Sequence, residues 1–380
     1  MSGVDKVGEL VAARVSALRD TQAILVRRAI NDLARLEVDP WLLKLVETLK
    51  GSSDWNERIR AWEELHDVSP ATPGWDNALR GVLHTGDGWG KILAAEIFAW
   101  NRLRAEEAVP VLTVTIQATI ELGHLEWARV ACGALGRYGV LPLPLVTLAL
   151  PALLDALDAG DSDVILYAAE TLGSWGGRAR RALVGLVGAI DRSEGQVSEH
   201  LLASLKKIEP SAGTGTEALL VALDEADPVF RADAARALFL RRELPCETAE
   251  RIAACARDND PRVRKFIALA LGNYRSCSHN ILRNLERLSE DDDAAVRLAA
   301  SHASVRLDVG LARHLKILEK SLAEDDRDLR VFGAWSLGDV GWADCRRSTL
   351  ALRHALASER DENVRAVLRK ALENLADEFG

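Results

Sequence analysis

The sequence predicts an all-α, right-handed α-solenoid of about ten two-helix repeats. Three observations lead to this prediction. The chain has 380 residues, more than one compact core usually holds, so it either divides into domains or grows by repetition. Its composition, with only 3 Tyr, 6 Phe and 11 Pro, favours helices over strands. One sequence pattern also recurs in constant register along most of the chain.

The recurring pattern begins with Asp, followed by two variable residues, an apolar residue, Arg, two variable residues and Ala, with Leu four residues later. It reads DPRVRKFIALALG from Asp260 and DPVFRADAARAL from Asp227. Ten copies occupy residues 54–372, and the position of the Arg is used here as the reference position of each copy. The reference positions are Arg58, Lys91, Ala128, Ile165, Ser198, Arg231, Arg264, Arg297, Arg330 and Arg365.

Each recurring residue of the pattern has a physical role. The Asp predicts a helix N-cap, because its carboxylate accepts free backbone N–H groups of the first turn. Positions −1, +3, +7 and +10 from the reference lie on one helical stripe, which predicts the core face. In one copy this stripe holds Val263, Ile267, Leu271 and Tyr274. A second amphipathic segment separates successive copies, so each copy is predicted to be a helical hairpin that buries its apolar face by stacking.

Two further positions carry predictions about packing. Glycines follow the Leu in four copies and are expected to end those helices as C′ residues; they are Gly136, Gly173, Gly272 and Gly338. The row of arginines at the reference positions is interpreted as structural. Each Arg is expected to pair with its own capping Asp at spacing i,i+4 and with acids of the adjacent repeat.

The capped helix, with its Asp…apolar-Arg…Ala…Ala-Leu-Gly pattern, resembles the short HEAT-like repeat of phycobilisome-lyase type. The resemblance covers residues 54–372, whereas the signatures of ankyrin and TPR arrays, which have similar periods, are missing. It implies an α-solenoid whose capped helices line the concave face. The family includes scaffolds, cofactor-attachment subunits and a few enzymes, so the resemblance specifies the fold better than the function.

The register also predicts the domain organisation. Residues 1–53 form an N-terminal helical cap, residues 54–372 the repeat solenoid, and residues 373–380 the end of a C-terminal cap. Within the N-terminal cap we expect helices over VDKVGELVAARVSAL, over DTQAILVRRAINDLARL and over the segment after Asp39, which has Pro40 at its first helical position.

Charge and composition argue against several classes of partner. The formal net charge is −9, and neither half of the chain is basic, so nucleic acid is an unlikely partner. No signal peptide or membrane-spanning segment is expected, which predicts a cytoplasmic protein without a membrane partner. The 5 cysteines contain no CxxC pair and are expected to be reduced.

The partner-binding surface is expected on the concave side, at positions −2, +2, +5 and +9. In the C-terminal repeats the predicted contact residues are Phe266, Leu269, His302, Phe332 and Trp335, with Arg262 and Lys265 at the edge. Large apolar residues on a surface stripe favour a binding groove; the alternative is that they belong to the core. Trp89 and Trp100 occupy the same stripe in an N-terminal copy and are predicted as a second aromatic contact.

Catalytic and metal-binding patterns are weak. None of the 8 His is followed by Glu, as the resemblance to iron-binding deoxyhypusine-hydroxylase-like proteins would require. No nucleotide-binding or nucleophile motif occurs. We therefore predict a non-enzymatic scaffold or adaptor that binds another protein, without metal or cofactor. The alternatives are a lyase-type or regulatory subunit acting on a partner protein and, less favoured, a nucleic-acid-binding protein or HEAT-like DNA glycosylase.

Overall fold

The computed structural model describes residues 3–17, 38–241, 244–274 and 278–377. All regular elements in these ranges are helices, and they contain no strand. The predicted helix over residues 20–36 lies outside the described residues. The all-α stack of helical hairpins expected from the sequence is confirmed.

The chain divides into two units, Met1–Ala218 and Leu219–Gly380. The helices of unit 1 are α1 Gly3–Ala17, α2 Pro40–Gly51, α3 Trp55–Asp67, α4 Trp75–Thr85, α5 Gly88–Trp100, α6 Ala105–Leu122, α7 Leu125–Arg137, α8 Leu143–Leu157, α9 Ser162–Trp175, α10 Leu183–Arg192 and α11 Gly195–Ile208. Helix α12, Gly215–Ala222, contains the boundary between the units. The division into residues 1–53, 54–372 and 373–380 follows the repeat register and stays a prediction.

Unit 2 continues the same alternation of helices. Its helices are α13 Pro228–Leu240, α14 Ala249–Ala254, α15 Pro261–Leu271, α16 His279–Leu288, α17 Ala294–Arg306, α18 Leu311–Ser321, α19 Arg327–Val340, α20 Cys345–Ser358 and α21 Glu362–Asp377. Short 3₁₀ turns cover Gly176–Ala182, Cys246–Thr248, Cys255–Arg257 and Gly341–Asp344.

The ten copies of the sequence pattern correspond to the odd-numbered helices from α3 to α21, which we call the capped helices. In eight of them the Asp carboxylate accepts backbone N–H groups of the first turn, as predicted. These caps are Asp54, Asp87, Asp161, Asp227, Asp260, Asp293, Asp326 and Asp361. His124 and Glu194, which replace Asp in the other two copies, make no such bond.

The predicted core stripe is buried, but the glycines after it have another role than expected. Gly136, Gly173 and Gly338 lie inside their helices, and Gly272 has helical backbone angles. None of them therefore ends a helix in the left-handed conformation. A Cβ at Gly272 would lie 2.9 Å from the Cα of Ala303, too close for real atoms. The glycines are needed because the next capped helix approaches the backbone there.

Four arginines at the reference positions connect successive repeats, namely Arg58, Arg231, Arg264 and Arg330. Arg264 donates from Nε and Nη2 to Asp291, each at 2.8 Å, and from Nη1 to the carbonyl oxygens of Asp258 and Asn259. The predicted i,i+4 pair with its own capping residue, Asp260, does not form. That carboxylate accepts from the backbone N–H and the side chain of Arg262 instead. The pairing with acids of the adjacent repeat is confirmed.

In three of these bridges the acceptor is an acid two residues before the next capping Asp, whereas Arg58 pairs with the next capping residue itself, Asp87. Arg231 binds Asp258, and Arg330 binds Glu359, in the same arrangement as the bridge from Arg264. The hydrogen bond from Arg330 holds the pKa of Glu359 below its ordinary value. Each bridge thus joins one capped helix to the loop that starts the next.

In unit 2 the layer of capped helices is concave. The rings of Phe239 on α13 and Trp335 on α19 lie 6.1 Å apart, centroid to centroid. These helices are three places apart in the layer, and helices pack about 8–10 Å apart. A flat row would separate their axes by about 24–30 Å. The rings meet because the layer bends towards the side that carries them.

Candidate interaction surfaces

The structure brings together part of the contact surface predicted in unit 2. Trp335 stacks on His302, with centroids 4.7 Å apart and ring planes at 18°. Phe332 stacks on the same indole at 5.4 Å. Phe332 and Trp335 on α19 and His302 on α17 therefore lie side by side, as predicted. Phe239, which sequence reasoning missed, completes an aromatic cluster.

Two predicted contact residues of this surface are buried. Leu269 and His302 are almost completely inaccessible, whereas Phe332, Trp335 and Phe266 are half-buried. The prediction that Leu269 and His302 lie on an open groove was wrong. The reason is the curvature of the layer, because side chains from α13 and α19 cover the inner face of the helices between them.

Burial determines the charge state of His302. Its Nε2 lies 3.3 Å from Asp339 Oδ2, but neither ring nitrogen makes a well-aligned hydrogen bond. Burial lowers the pKa of His302 and outweighs the opposing effect of Asp339. The imidazole is thus neutral at physiological pH, and its face is covered by Trp335.

The edge of this surface is more open. Arg262 is exposed and pairs with its own capping residue, Asp260, at 2.7 Å. This hydrogen bond lowers the pKa of Asp260 to about 2. Lys265 Nζ lies 4.6 Å from the ring centroid of Phe266, a cation–π distance. Arg262 is thus exposed and Lys265 and Phe266 are half-buried, and their role as partner contacts stays a prediction.

The two tryptophans predicted as a contact in unit 1 have different environments. Trp89 is buried and packs edge-to-face against Trp55 and Trp127, with centroids 5.0 and 4.8 Å away. A Cβ on Gly8 would lie 2.9 Å from its Cδ1, so α1 covers this ring. The prediction that Trp89 faces a partner was wrong, because the N-terminal helix lies over it.

Trp100, in contrast, is 53% exposed. The guanidinium carbon of Arg137 lies 4.5 Å from its ring centroid, and the imidazole of His66 meets it edge-on at 5.3 Å. The cation–π contact holds the large apolar ring in place while leaving much of it accessible. The exposure leaves the ring open to a partner, and its role as a contact residue stays a prediction.

A buried carboxylate, Glu96, fixes the residues around Trp100. It pairs with Arg137 and accepts a hydrogen bond of 3.1 Å from Trp62 Nε1. His66 Nε2 lies 2.7 Å from the same carboxylate, and His66 Nδ1 lies 3.0 Å from the Trp62 carbonyl oxygen. Both imidazole nitrogens therefore face acceptors. Burial acts against protonation, but the contacts with Glu96 outweigh it and raise the pKa of His66.

A groove of about 470 Å³ adjoins Arg137 on the same face. We call it the α7–α9 groove; it is lined by Gly133, Gly136, Arg137, Tyr167, Glu170, Thr171, Ser174 and Lys207. Tyr167 is 42% exposed, and a Cβ on Gly133 would lie 3.1 Å from its Cδ1. Sequence reasoning missed Tyr167, although it occupies the +2 position of its repeat, one of the variable positions expected on the inner face.

Comparison with protein families identifies the repeat. Residues 216–303 and 248–338 match the family model described as HEAT repeats. Residues 216–338 contain HEAT repeats. The match covers the repeats whose capped helices are α13 to α19, so the HEAT-like resemblance seen in the pattern is confirmed there. No curated protein matches the chain significantly.

Solved structures resemble this HEAT-repeat chain only distantly. An engineered protein is 19% identical, covers 88% of this chain and 98% of its own, and has a TM-score of 0.34. The complex of CpcE and CpcF of phycocyanin lyase from Nostoc sp. PCC7120 is 18% identical over 60% of this chain and 94% of its own, with a TM-score of 0.33. The karyopherin Kap121p bound to the extreme C-terminus of the protein phosphatase Cdc14p is 12% identical, and this chain spans about half of it, 49%, with a TM-score of 0.39.

In the part of the chain that the structure describes, no group of three or more His, Cys, Asp or Glu side chains is arranged to hold a metal ion. In the same residues, no helix combines the length and the apolar character needed to cross a membrane. Cys132, Cys255 and Cys345 are free thiols.

Proposed function

We propose that this HEAT-repeat protein is a non-enzymatic scaffold that binds a partner protein on the capped-helix face of unit 1. The observation that carries the proposal is the exposed Trp100, held by Arg137 beside the α7–α9 groove. Aromatic and arginine side chains dominate the energetics of protein interfaces. A ring that is already fixed loses little conformational freedom when a partner covers it.

The groove offers mixed chemistry, which suits a protein segment. Tyr167 provides a second accessible aromatic ring, and Lys207 and Glu170 are exposed charges of opposite sign that make no ion pair with described residues. Arg137 is already paired with Glu96. A phosphate backbone would need several unpaired cations here and would be repelled by Glu170. A loop or helix with apolar and charged side chains matches the groove better.

The acid–base pair beside Trp100 has a structural explanation. Glu96 and His66 are bound to each other, and the remaining polar atoms of the pair face Trp62 and Arg137. These contacts orient Arg137 and thereby Trp100, and they leave no free carboxylate or imidazole to act on a substrate. This supports a binding role for the site over a catalytic one.

Site-specific photo-crosslinking tests the proposal. A benzoylphenylalanine in place of Tyr167 should capture one partner protein in cells, identified by mass spectrometry. The same residue in place of Trp41, which is 49% exposed on α2 outside the groove, is the matched control. Equal capture from both positions, or crosslinks to nucleic acid from position 167 alone, would contradict the proposal.

A further inference from the structure

Two neighbouring helices of unit 2, α18 and α20, are rich in positive charge although the whole chain is acidic. Helices α18 and α20 each contain three Lys or Arg residues, and together they contain a single acid, Glu319. The whole chain, in contrast, has a net charge of −9. The two helices lie next to each other in the layer opposite the capped helices.

An apolar groove of about 650 Å³ lies between these helices. We call it the α18–α20 groove; it is lined by Glu319, Leu322, Ala323, Arg347, Leu350, Ala351, His354, Ala355 and Ser358. Leu350 is 71% exposed and has further apolar residues beside it in the groove. Contiguous exposed apolar surface of this kind marks interaction sites. Arg347 and Glu319 bridge the groove through two hydrogen bonds of 2.5 and 2.7 Å.

Unpaired cations flank the groove on both helices. On α20, Arg346, Leu350 and Arg353 are exposed and lie at i, i+4 and i+7, on one stripe. On α18, Lys316 and Lys320 are exposed and lie at i and i+4, on one face of the helix. None of these four cations has a carboxylate within ion-pairing distance among the described residues, whereas Arg347 is paired. The floor is thus apolar and the rims are positive.

We propose that the α18–α20 groove binds an acidic amphipathic helix of a partner protein. An apolar stripe on such a helix would cover Leu322, Leu350 and Ala355, and carboxylates beside the stripe would meet Arg346, Arg353 and the two lysines. Helices α18 and α20 contain 11 and 14 residues, which makes the groove roughly 16–21 Å long. This length accommodates three to four turns of a partner helix.

The apolar floor decides between this occupant and a phosphate backbone. Nucleic acid would engage the arginines and lysines but gains nothing from covering Leu322, Leu350 and Ala351, and it would leave the exposed leucine uncompensated. An amphipathic helix uses both features. This surface lies in unit 2 and is independent of the contact proposed at Trp100 in unit 1.

Fluorescence anisotropy with synthetic peptides tests the inference. The probe is a labelled amphipathic peptide with a leucine stripe flanked by glutamates; a second peptide has lysines in place of the glutamates. We expect the acidic peptide to bind and the basic peptide not to bind. Arg346→Glu/Arg353→Glu should weaken binding of the acidic peptide by roughly tenfold or more, because two attractions become repulsions. Leu350→Ala should weaken it as well.

Matched variants elsewhere control for net charge and lost apolar area. Arg60→Glu/Lys206→Glu reverses two exposed, unpaired cations of unit 1, and Leu143→Ala truncates a leucine that is 60% exposed; both should leave binding unchanged. The inference is overturned if the acidic peptide fails to bind at about 1 mM or if the control variants weaken it equally. Duplex DNA binding, or dimerisation in sedimentation velocity, that the α20 reversal abolishes would assign the groove to nucleic acid or to a second copy and likewise overturn it.

Discussion

The guanidinium carbon of Arg137 lies 4.5 Å from the ring centroid of Trp100. The cation belongs to α7 and the ring to the C-terminal end of α5, so the contact joins two consecutive repeats. Because the buried carboxylate of Glu96 pairs with the same guanidinium, a buried charge positions the exposed ring. The proposed interaction surface of unit 1 therefore depends on a buried carboxylate as well as on the exposed ring.

The first prediction concerns that buried charge. Glu96→Gln keeps the shape of the side chain and an acceptor for Trp62 but removes the partner of Arg137 and His66. We expect the free energy of unfolding to fall by roughly 1.5–3 kcal/mol, the range for hydrogen bonds to charged groups. Urea denaturation followed by circular dichroism measures it. Glu170→Gln, an exposed and unpaired acid, should change it little; equal effects of the two variants would contradict the role assigned to Glu96.

The second prediction concerns the pH dependence of stability at His66. Its pKa is raised above 6.5 in the folded protein, so its contribution is fully present below pH 6.5 and is lost as the pH rises through the folded-state pKa. We expect the difference in unfolding free energy between the wild type and His66→Leu to be larger at pH 6 than at about pH 8.5. A difference that grows with pH would contradict this.

The same prediction extends to His302, whose contribution to stability should depend on pH in the opposite sense. Burial lowers its pKa below 6.5, so the folded state binds fewer protons than the unfolded state, and stability is lost as the pH falls below 6.5. Asp339 and Arg306 are the charged groups facing it. We expect amide hydrogen exchange in α17 to accelerate at pH 5.5 relative to pH 7.5, after correction for intrinsic rates. His302→Leu should remove that change.

The third prediction tests the bridges between repeats. Arg264→Ala removes four hydrogen bonds to the preceding loop and to Asp291. We expect a loss of about 1–3 kcal/mol in the free energy of unfolding, measured by chemical denaturation. Arg262→Ala, two residues away and exposed, is the control. If the double variant with Asp291→Asn is destabilised by the sum of the single effects, the bridge is not a coupled pair.

The fourth prediction separates packing from recognition in unit 2. Trp335 covers the buried His302 and contacts Phe239 and Phe332. We expect Trp335→Ala to destabilise unit 2 by roughly 2 kcal/mol or more, because a large packed ring is removed. Thermal unfolding measures the loss. If stability is unchanged while partner binding falls, the ring is a contact residue alone, as the sequence pattern implied.

The register of the repeat explains why so much of the fold was predictable. A single position, followed from Arg58 to Arg365, locates all ten capped helices, and the capping Asp bonds follow from it. The pattern predicted that the arginines pair with acids of the adjacent repeat, but it did not say which acids, such as Asp291 and Glu359, would be the partners. Their role becomes visible only when the loop of the next repeat is placed beside the Arg.

The surface was less predictable, because helical periodicity gives the face of a residue but not the spacing or curvature of the layer. Periodicity correctly brought Trp335 together with His302 and Phe332. It contained no information that the curvature of the layer brings Phe239 on α13 into contact with Trp335 on α19. Nor did it show that α1, which lies outside the repeats, covers Trp89. The groove beside Tyr167 is lined by Gly133 and Gly136, which carry no side chains that would fill it.

The most direct test of the proposed function is the dissociation constant between the purified protein and the partner identified by crosslinking. It should be measured by calorimetry for the wild type, Trp100→Ala and Trp41→Ala, which remove equally large rings that are 53% and 49% exposed. We expect Trp100→Ala to weaken binding by roughly 1–3 kcal/mol, with Trp41→Ala unchanged. Unchanged affinity for Trp100→Ala, or equal losses for both variants, would contradict the account.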